Sequence, residues 1–190
     1  MINKDIKDKN LIPDLLQEMV DKDQKALNKK PTDQKEIKRI IDVNRTAVRK
    51  IVKEHGLISF SKFGEKASFN AWLLIQHFPK TSIKFMEEYL EMMKKAEGDV
   101  NPRNVAYLQD RVNVYKGEPQ IYGTQLRAKK CSNLCQFRPI KDISKVDERR
   151  KKVGLESLSE YVEIFKEANG SEVKMPDGYR PYPHDMLKSL

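Results

Sequence analysis

Residues 67–78 read ASFNAWLLIQHF and form the most apolar stretch of the chain. Its centre, AWLLI over residues 71–75, offers no polar face, and a helix that is apolar nearly all round is a buried one. A membrane span needs about 20 apolar residues in succession, and no stretch of this sequence approaches that length. The segment therefore predicts the central helix of a packed core.

Helical spacing of apolar residues continues on the N-terminal side of this segment. It predicts an amphipathic helix over residues 11–28 and a second helical region over residues 33–55. Asp42 and Asn44 are the candidate positions at which the second region breaks in two. This half of the chain is predicted to be helical.

Cap residues mark further helices on the C-terminal side. Thr81 is predicted to cap the next helix, and Asn101 followed by Pro102 is typical of the start of another. Patterns typical of a capping box begin at Ser144 and at Ser157. Between these groups of helices the helical period is lost over residues 119–139.

Two short runs in that interval, residues 120–126 and 134–140, predict a small β-hairpin near residues 119–140. The predicted fold class is mainly α, a single compact helical domain of about six to seven helices with this hairpin. The predicted parts are an N-terminal extension (1–10), the helical domain (11–170) and an extended C-terminal tail (171–190).

Charge is concentrated in one part of the chain. The 190 residues have a formal net charge of +9, and residues 111–152 alone hold 12 basic and 4 acidic side chains. Such a stretch can bind nucleic acid or another polyanion. A lysine-rich composition can equally serve solubility, so both interpretations are open.

Several classes of protein are not expected. The first residues, MINKDIKDKN, alternate charges where a signal peptide has an apolar run, which predicts a cytoplasmic protein that meets no membrane. Cys131 and Cys135 lack a second ligand pair at zinc-site spacing, so we expect reduced thiols and no metal. No glycine-rich phosphate loop or nucleophile elbow is present, and we predict no cofactor.

His77, next to Gln76 at the end of the apolar segment, is a candidate catalytic residue. A partly desolvated imidazole can act as a general acid or base. The alternative is a core histidine that is satisfied by a backbone carbonyl.

Arg111 is the second candidate, because it follows Asp110 at the edge of an apolar helix face. A guanidinium there needs an anionic partner. That partner is either a protein carboxylate, with Asp110, Asp147 and Glu65 as candidates, or a ligand.

Residues 122–125, Tyr-Gly-Thr-Gln, lie on a predicted strand. Alternation would send Tyr122 and Thr124 to one face, and Gly123 and Gln125 to the other. A glycine within a strand often marks the close approach of a ligand or of another backbone, although ordinary strand packing explains the same pattern.

Four stretches resemble a known bacterial family, as does the earlier pair Asp23-Gln24. They are AWLLIQH (71–77), NVAYLQDRV (104–112), PQIYGTQ (119–125) and VDERRKKVGL (146–155), in that order. The family is catalogued as domain of unknown function 6624, and the resemblance covers roughly residues 11–168. It implies a single, mainly helical domain without an established activity.

The polar blocks of that family coincide with the candidates above, which suggests one shared polar cluster. His77 and Arg111 are the predicted catalytic residues. The predicted ligand-binding residues are Gln76, Asp110, Tyr122, Thr124, Gln125 and Arg150.

Three functions of different classes are compatible with these patterns. In the first, a polar pocket formed by His77, Arg111, Tyr122 and Gln125 binds an anionic small molecule and supports acid/base chemistry. In the second, the chain is a protein-interaction or regulatory module of the toxin-neutralising type. In the third, residues 111–152 bind nucleic acid, although few aromatic residues are interleaved for base stacking.

Overall fold

The computed structural model describes residues 6–128 and 134–181, and within these it contains seven α-helices and three short strands. The predicted fold class, mainly α with a small hairpin, is confirmed. None of the described helices is long and apolar enough to cross a membrane. The helices are α1 (Ile12–Asn28), α2 (Gln34–His55), α3 (Phe60–Gln76), α4 (Ile83–Lys95), α5 (Pro102–Lys116), α6 (Val146–Lys152) and α7 (Leu158–Asn169); the strands are β1 (Leu126–Ala128), β2 (Leu134–Phe137) and β3 (Glu172–Lys174).

The contacts within the chain divide it into two compact units, with the boundary between Val105 and Ala106 inside α5. In the first unit, α1 packs against α2 and α3. The predicted burial of the apolar segment is confirmed, because Ala71, Leu74 and Ile75 of α3 are each at most 1% exposed.

Two details of the first unit differ from the sequence prediction. α2 is continuous, since Asp42 and Asn44 both lie within it. α4 begins at Ile83 after a 3-10 turn that contains Thr81, so the predicted cap at Thr81 is wrong.

The predicted cap at Asn101 is confirmed, because its Oδ1 accepts the backbone N–H of Arg103 at 2.9 Å.

The second unit contains α6, α7 and a three-stranded sheet in the order β1-β2-β3. β1 and β2 form the predicted antiparallel hairpin, in which Leu126 pairs with Phe137. β3 runs parallel to β2, with Val173 beside Cys135, and it lies in the stretch predicted to be an extended tail. The predicted capping box at Ser157 is present at the start of α7.

The strand predicted over residues 120–126 is wrong for most of its length. Only Leu126 belongs to β1, and residues 121–125 form a bend and an irregular loop, so strand alternation does not decide where their side chains point. Gln120 makes an isolated bridge to Ile140. We call residues 120–125 the 120–125 loop.

Gly123 is required in the 120–125 loop by its conformation and its surroundings. Its φ is +68°, and an added Cβ would lie 2.8 Å from Cδ1 of Ile140 and 2.9 Å from Cδ1 of Leu158. We predict that Gly123→Ala destabilises the protein by about 2–4 kcal/mol, as strain and overpacking add.

Gly170→Ala is the matched control, because φ is +63° there and nothing lies within 4 Å of the added Cβ. The unfolding free energy of this variant should fall by about 1–2 kcal/mol, which is the contribution of backbone strain alone. Urea denaturation measures both, and equal losses would contradict the close packing at Gly123.

Candidate functional site

The first unit holds a histidine–aspartate pair. Nδ1 of His77, the C-cap residue of α3, lies 2.7 Å from Oδ2 of Asp23 in α1. Asp23 is 2% exposed, whereas the side chain of His77 is 25% exposed. The amide of Gln24 donates to the same carboxylate oxygen at 3.2 Å. A buried carboxylate therefore lies behind a partly exposed imidazole.

This pairing decides which imidazole nitrogen is basic. An ionised carboxylate only accepts hydrogen bonds, so Nδ1 of His77 donates to Asp23 and Nε2 keeps the lone pair of the neutral ring. The tautomer is assigned from this hydrogen bond. Such a pair orients an imidazole for proton transfer and stabilises the imidazolium that forms. The alternative partner, a backbone carbonyl, is not what Nδ1 contacts.

In the second unit a buried carboxylate organises the 120–125 loop. Asp110 of α5 is completely buried. Its Oδ1 accepts the backbone N–H groups of Ile121 at 2.7 Å and Tyr122 at 3.1 Å, and its Oδ2 accepts the N–H and the hydroxyl of Thr124 at 2.9 and 3.0 Å. Burial raises the pKa of the Asp110 carboxyl, and these donors oppose the rise. The loop therefore occupies both carboxylate oxygens.

The side-chain amide of Gln120 closes the same loop. Gln120 is completely buried, and its Oε1 accepts the backbone N–H of Gln125 at 2.6 Å. Its Nε2 donates to the carbonyl groups of Gln125 and Arg138 at 3.1 and 2.8 Å. The hydrogen bonds of the Gln120 side chain thus take the place of the backbone hydrogen bonds that a β-ladder would have provided. The amide of Gln125 in turn donates to the hydroxyl of Thr124 at 3.1 Å.

Two adjacent arginines of α6 bind the carbonyl groups of the 120–125 loop. Nε of Arg149 donates to the carbonyl of Ile121 at 2.8 Å, and Nη1 of Arg150 donates to that of Tyr122 at 2.7 Å. Asp110 therefore binds N–H groups in the middle of the loop, and the arginines bind the carbonyl groups of Ile121 and Tyr122. Both sets of backbone groups are satisfied without a β-ladder.

Arg150 is the largest completely buried side chain of the second unit. Its guanidinium lies 5.0 Å from the ring of Tyr161, and its Nε donates to the carbonyl of Glu156 at 2.6 Å. Burial lowers the pKa of Arg150 and raises that of Tyr161. The carbonyl groups and the aromatic face offset only part of the desolvation of the charge, and Nη2 of Arg150 has no hydrogen-bond partner in the described part of the chain.

A second buried carboxylate joins α6 to α7. Oδ1 of Asp147 accepts the backbone N–H of Leu158 at 2.7 Å, and its Oδ2 accepts the hydroxyl of Tyr179 at 2.8 Å. Asp147 is 6% exposed. Because Tyr179 lies beyond residue 170, this contact anchors part of the stretch predicted to be a tail.

The predicted site residues are distributed over both units. Five of them meet around the 120–125 loop: Asp110, Tyr122, Thr124, Gln125 and Arg150. Arg111 is half-buried, with its guanidinium 6.0 Å from the ring of Tyr115. Gln76 and His77 belong to the first unit, and Gln76 is 5% exposed. A ligand-binding role for these eight residues stays a prediction.

Three residues that the geometry singles out are absent from the predicted site. Asp23 lies 54 positions from its partner, and the only sequence signal for it is the Asp23-Gln24 pair among the family blocks. Gln120 and Arg149 stand inside two of the other blocks, PQIYGTQ and VDERRKKVGL. Side-chain chemistry considered one residue at a time gives no sign that the partners of Gln120 and Arg149 are backbone groups.

Part of the basic stretch 111–152 is used inside the fold, since Arg149 and Arg150 bind loop carbonyls. Lys129, Lys130 and Cys131 lie outside the described residues. Over residues 6–128 and 134–181, no group of three or more His, Cys, Asp or Glu side chains is placed to hold a metal ion. Cys135 is a half-buried free thiol.

The sequence matches the model of a family described only as a family of unknown function, DUF6624, over residues 16–174. No curated protein and no solved structure matches the chain. The match includes both the histidine–aspartate pair and the cluster around the 120–125 loop.

We predict that Asp110→Asn destabilises the protein by about 2–3 kcal/mol, because an amide nitrogen would then face a buried backbone N–H that has no other acceptor. Asp177→Asn is the control, since that side chain is 95% exposed and makes only a surface ion pair; it should change stability by less than about 0.5 kcal/mol. Chemical denaturation measures both. A loss at Asp110 no larger than that at Asp177 would contradict the organising role of the buried carboxylate.

Proposed function

We propose a proton-transfer function for this chain, which belongs to the family of unknown function DUF6624: it binds an anionic small molecule, and His77 moves a proton to or from it. The observation that carries the proposal is the 2.7 Å contact between Nδ1 of His77 and the buried carboxylate of Asp23. In this role His77 is the general base or acid, and Asp23 is a positioning residue.

The difference in exposure between the two side chains supports the proposal. Asp23 is 2% exposed and reaches its partner from inside the unit, whereas the imidazole is 25% exposed. Asp23 therefore holds Nδ1 from inside the unit, and Nε2 is the atom that a substrate could contact. Burial of an unpaired carboxylate is unfavourable. A histidine that served only in packing would not require a buried carboxylate beside it.

Charge supports an anionic substrate. The chain has a net charge of +9, and a positive protein field raises the local concentration of anions.

The proposal is tested with the full chain and two chromogenic anionic substrates, p-nitrophenyl phosphate and p-nitrophenyl hemisuccinate. Hydrolysis needs no co-reactant other than water. The base removes a proton from the water, whose oxygen bonds to the phosphorus or the carbonyl carbon while the bond to the leaving p-nitrophenolate breaks. We predict turnover by the wild type and a loss of about 10²–10⁴-fold in kcat for His77→Gln. Asp23→Asn should lower kcat as well, because an amide can donate to Nδ1 and so favour the other tautomer.

His55→Gln is the matched control. His55 is also partly buried in the first unit, but its Nε2 lies 2.6 Å from the carbonyl of Ile6, which is the arrangement of a structural histidine. This variant should keep the wild-type kcat. Absence of turnover by the wild type, or equal kcat for His77→Gln and His55→Gln, would contradict the proposal.

A further inference from the structure

A large groove runs between the second half of α1 and the first half of α2, within the first unit and with a volume of about 910 Å³. No residue of the proposed proton-transfer pair lines it. Its lining residues are Lys22, Lys25, Ala26, Asn28, Lys29, Glu36, Arg39, Ile40, Val43 and Asn44.

The groove has an apolar strip that is accessible from outside. Val43 is 45% exposed, and Ala26 and Ile40 also line the cavity. Leu27, the neighbour of Ala26 on α1, is 38% exposed. Exposed large apolar side chains beside a cavity are typical of a surface that packs against a partner.

The rim of the groove is basic. Lys22 and Lys29 pair with Glu18 and Glu36 on the surface. Lys25 and Arg39 are exposed, and neither has an ion-pair partner among residues 6–128 and 134–181. The four basic side chains against the single acidic lining residue leave the groove with a net positive charge.

Asn44 supplies a second and independent observation. It is 4% exposed and lines the groove, and its Nδ2 has no hydrogen-bond partner within the described part of the chain. A buried donor without an acceptor is destabilising. An occupant with an acceptor oxygen at this position would remove that penalty.

We propose that this groove binds an acidic amphipathic helix of a partner protein. The apolar stripe of the helix packs on Val43 and Ile40, its carboxylates pair with Lys25 and Arg39, and one side-chain oxygen accepts from Asn44. Helix-in-groove recognition of this kind uses apolar anchors at helical spacing. A single-stranded nucleic acid fits less well, because none of the lining residues is aromatic and base stacking would have no platform.

The probe is a designed peptide of about 18 residues, or five helical turns, with leucine at i, i+3, i+4 and i+7 and glutamate on the flanks of that stripe. A second peptide of the same composition in scrambled order has no stripe. Fluorescence anisotropy with the full chain should give a Kd for the striped peptide at least about 10-fold lower than for the scrambled one. Chemical-shift changes should map to the backbone amides of Val43 and Asn44.

Three variants and one control test the contacts. Lys25→Glu and Arg39→Glu should each weaken binding of the striped peptide about 10-fold, because reversed charge repels its glutamates. Asn44→Leu should leave the free protein at least as stable and yet weaken binding about 5-fold, since an apolar side chain offers no donor. Lys84→Glu makes the same change in charge on the exposed face of α4, outside the groove, and should leave the Kd unchanged.

Four results would overturn the proposal. The first is equal affinity for the striped and scrambled peptides, and the second is an increase in Kd for Lys84→Glu as large as that for Lys25→Glu. The third is chemical-shift changes confined to residues outside the groove. The fourth is displacement of the striped peptide by an equimolar single-stranded oligonucleotide. None of these depends on the activity of His77, so the two proposals fail separately.

Discussion

The carboxylate of Asp110 is the interaction on which the second unit depends. A completely buried charge is tolerated only where donors surround it, and here the donors are backbone N–H groups of Ile121, Tyr122 and Thr124. This one side chain therefore fixes the path of the 120–125 loop. The loop in turn presents its carbonyl groups to Arg149 and Arg150, which brings α6 against it.

The carboxylate of Asp23 is buried to a similar degree but has a different effect. Asp110 is surrounded by groups that cannot change their protonation state, so its role is architectural. Asp23 binds a titratable imidazole and reaches only one of its nitrogens. Asp110 thus holds a backbone, whereas in the proposed function Asp23 orients a base.

The helices could be predicted from the sequence because each has its own periodic signal. The all-apolar run at residues 71–75 and the cap at Asn101 needed no information from elsewhere in the chain. The strand predicted over residues 120–126 failed because its backbone groups bind the side chains of Asp110 and Gln120, which a period of two cannot reveal. Asp42 and Asn44 did not break α2, since helical packing outweighs their weak preference for caps and turns.

The site was predictable in part for the same reason. His77 could be selected from its own context, but its partner Asp23 lies on another helix, and helical spacing tells which face a residue occupies without telling what that face meets. The residues that meet around Asp110 were among the predicted site residues. That its partners are backbone groups of the 120–125 loop depends on contacts that only the folded chain provides.

The tautomer of His77 shows directly whether Asp23 orients the imidazole. Long-range ¹H–¹⁵N correlation spectra of the full chain, recorded where the ring is neutral and assigned with His77→Gln, distinguish the protonated from the unprotonated imidazole nitrogen. We expect a protonated Nδ1 and an unprotonated Nε2 in the wild type, and loss of that preference in Asp23→Asn. A wild-type ring protonated at Nε2 would contradict the assignment of His77 as a base oriented by Asp23.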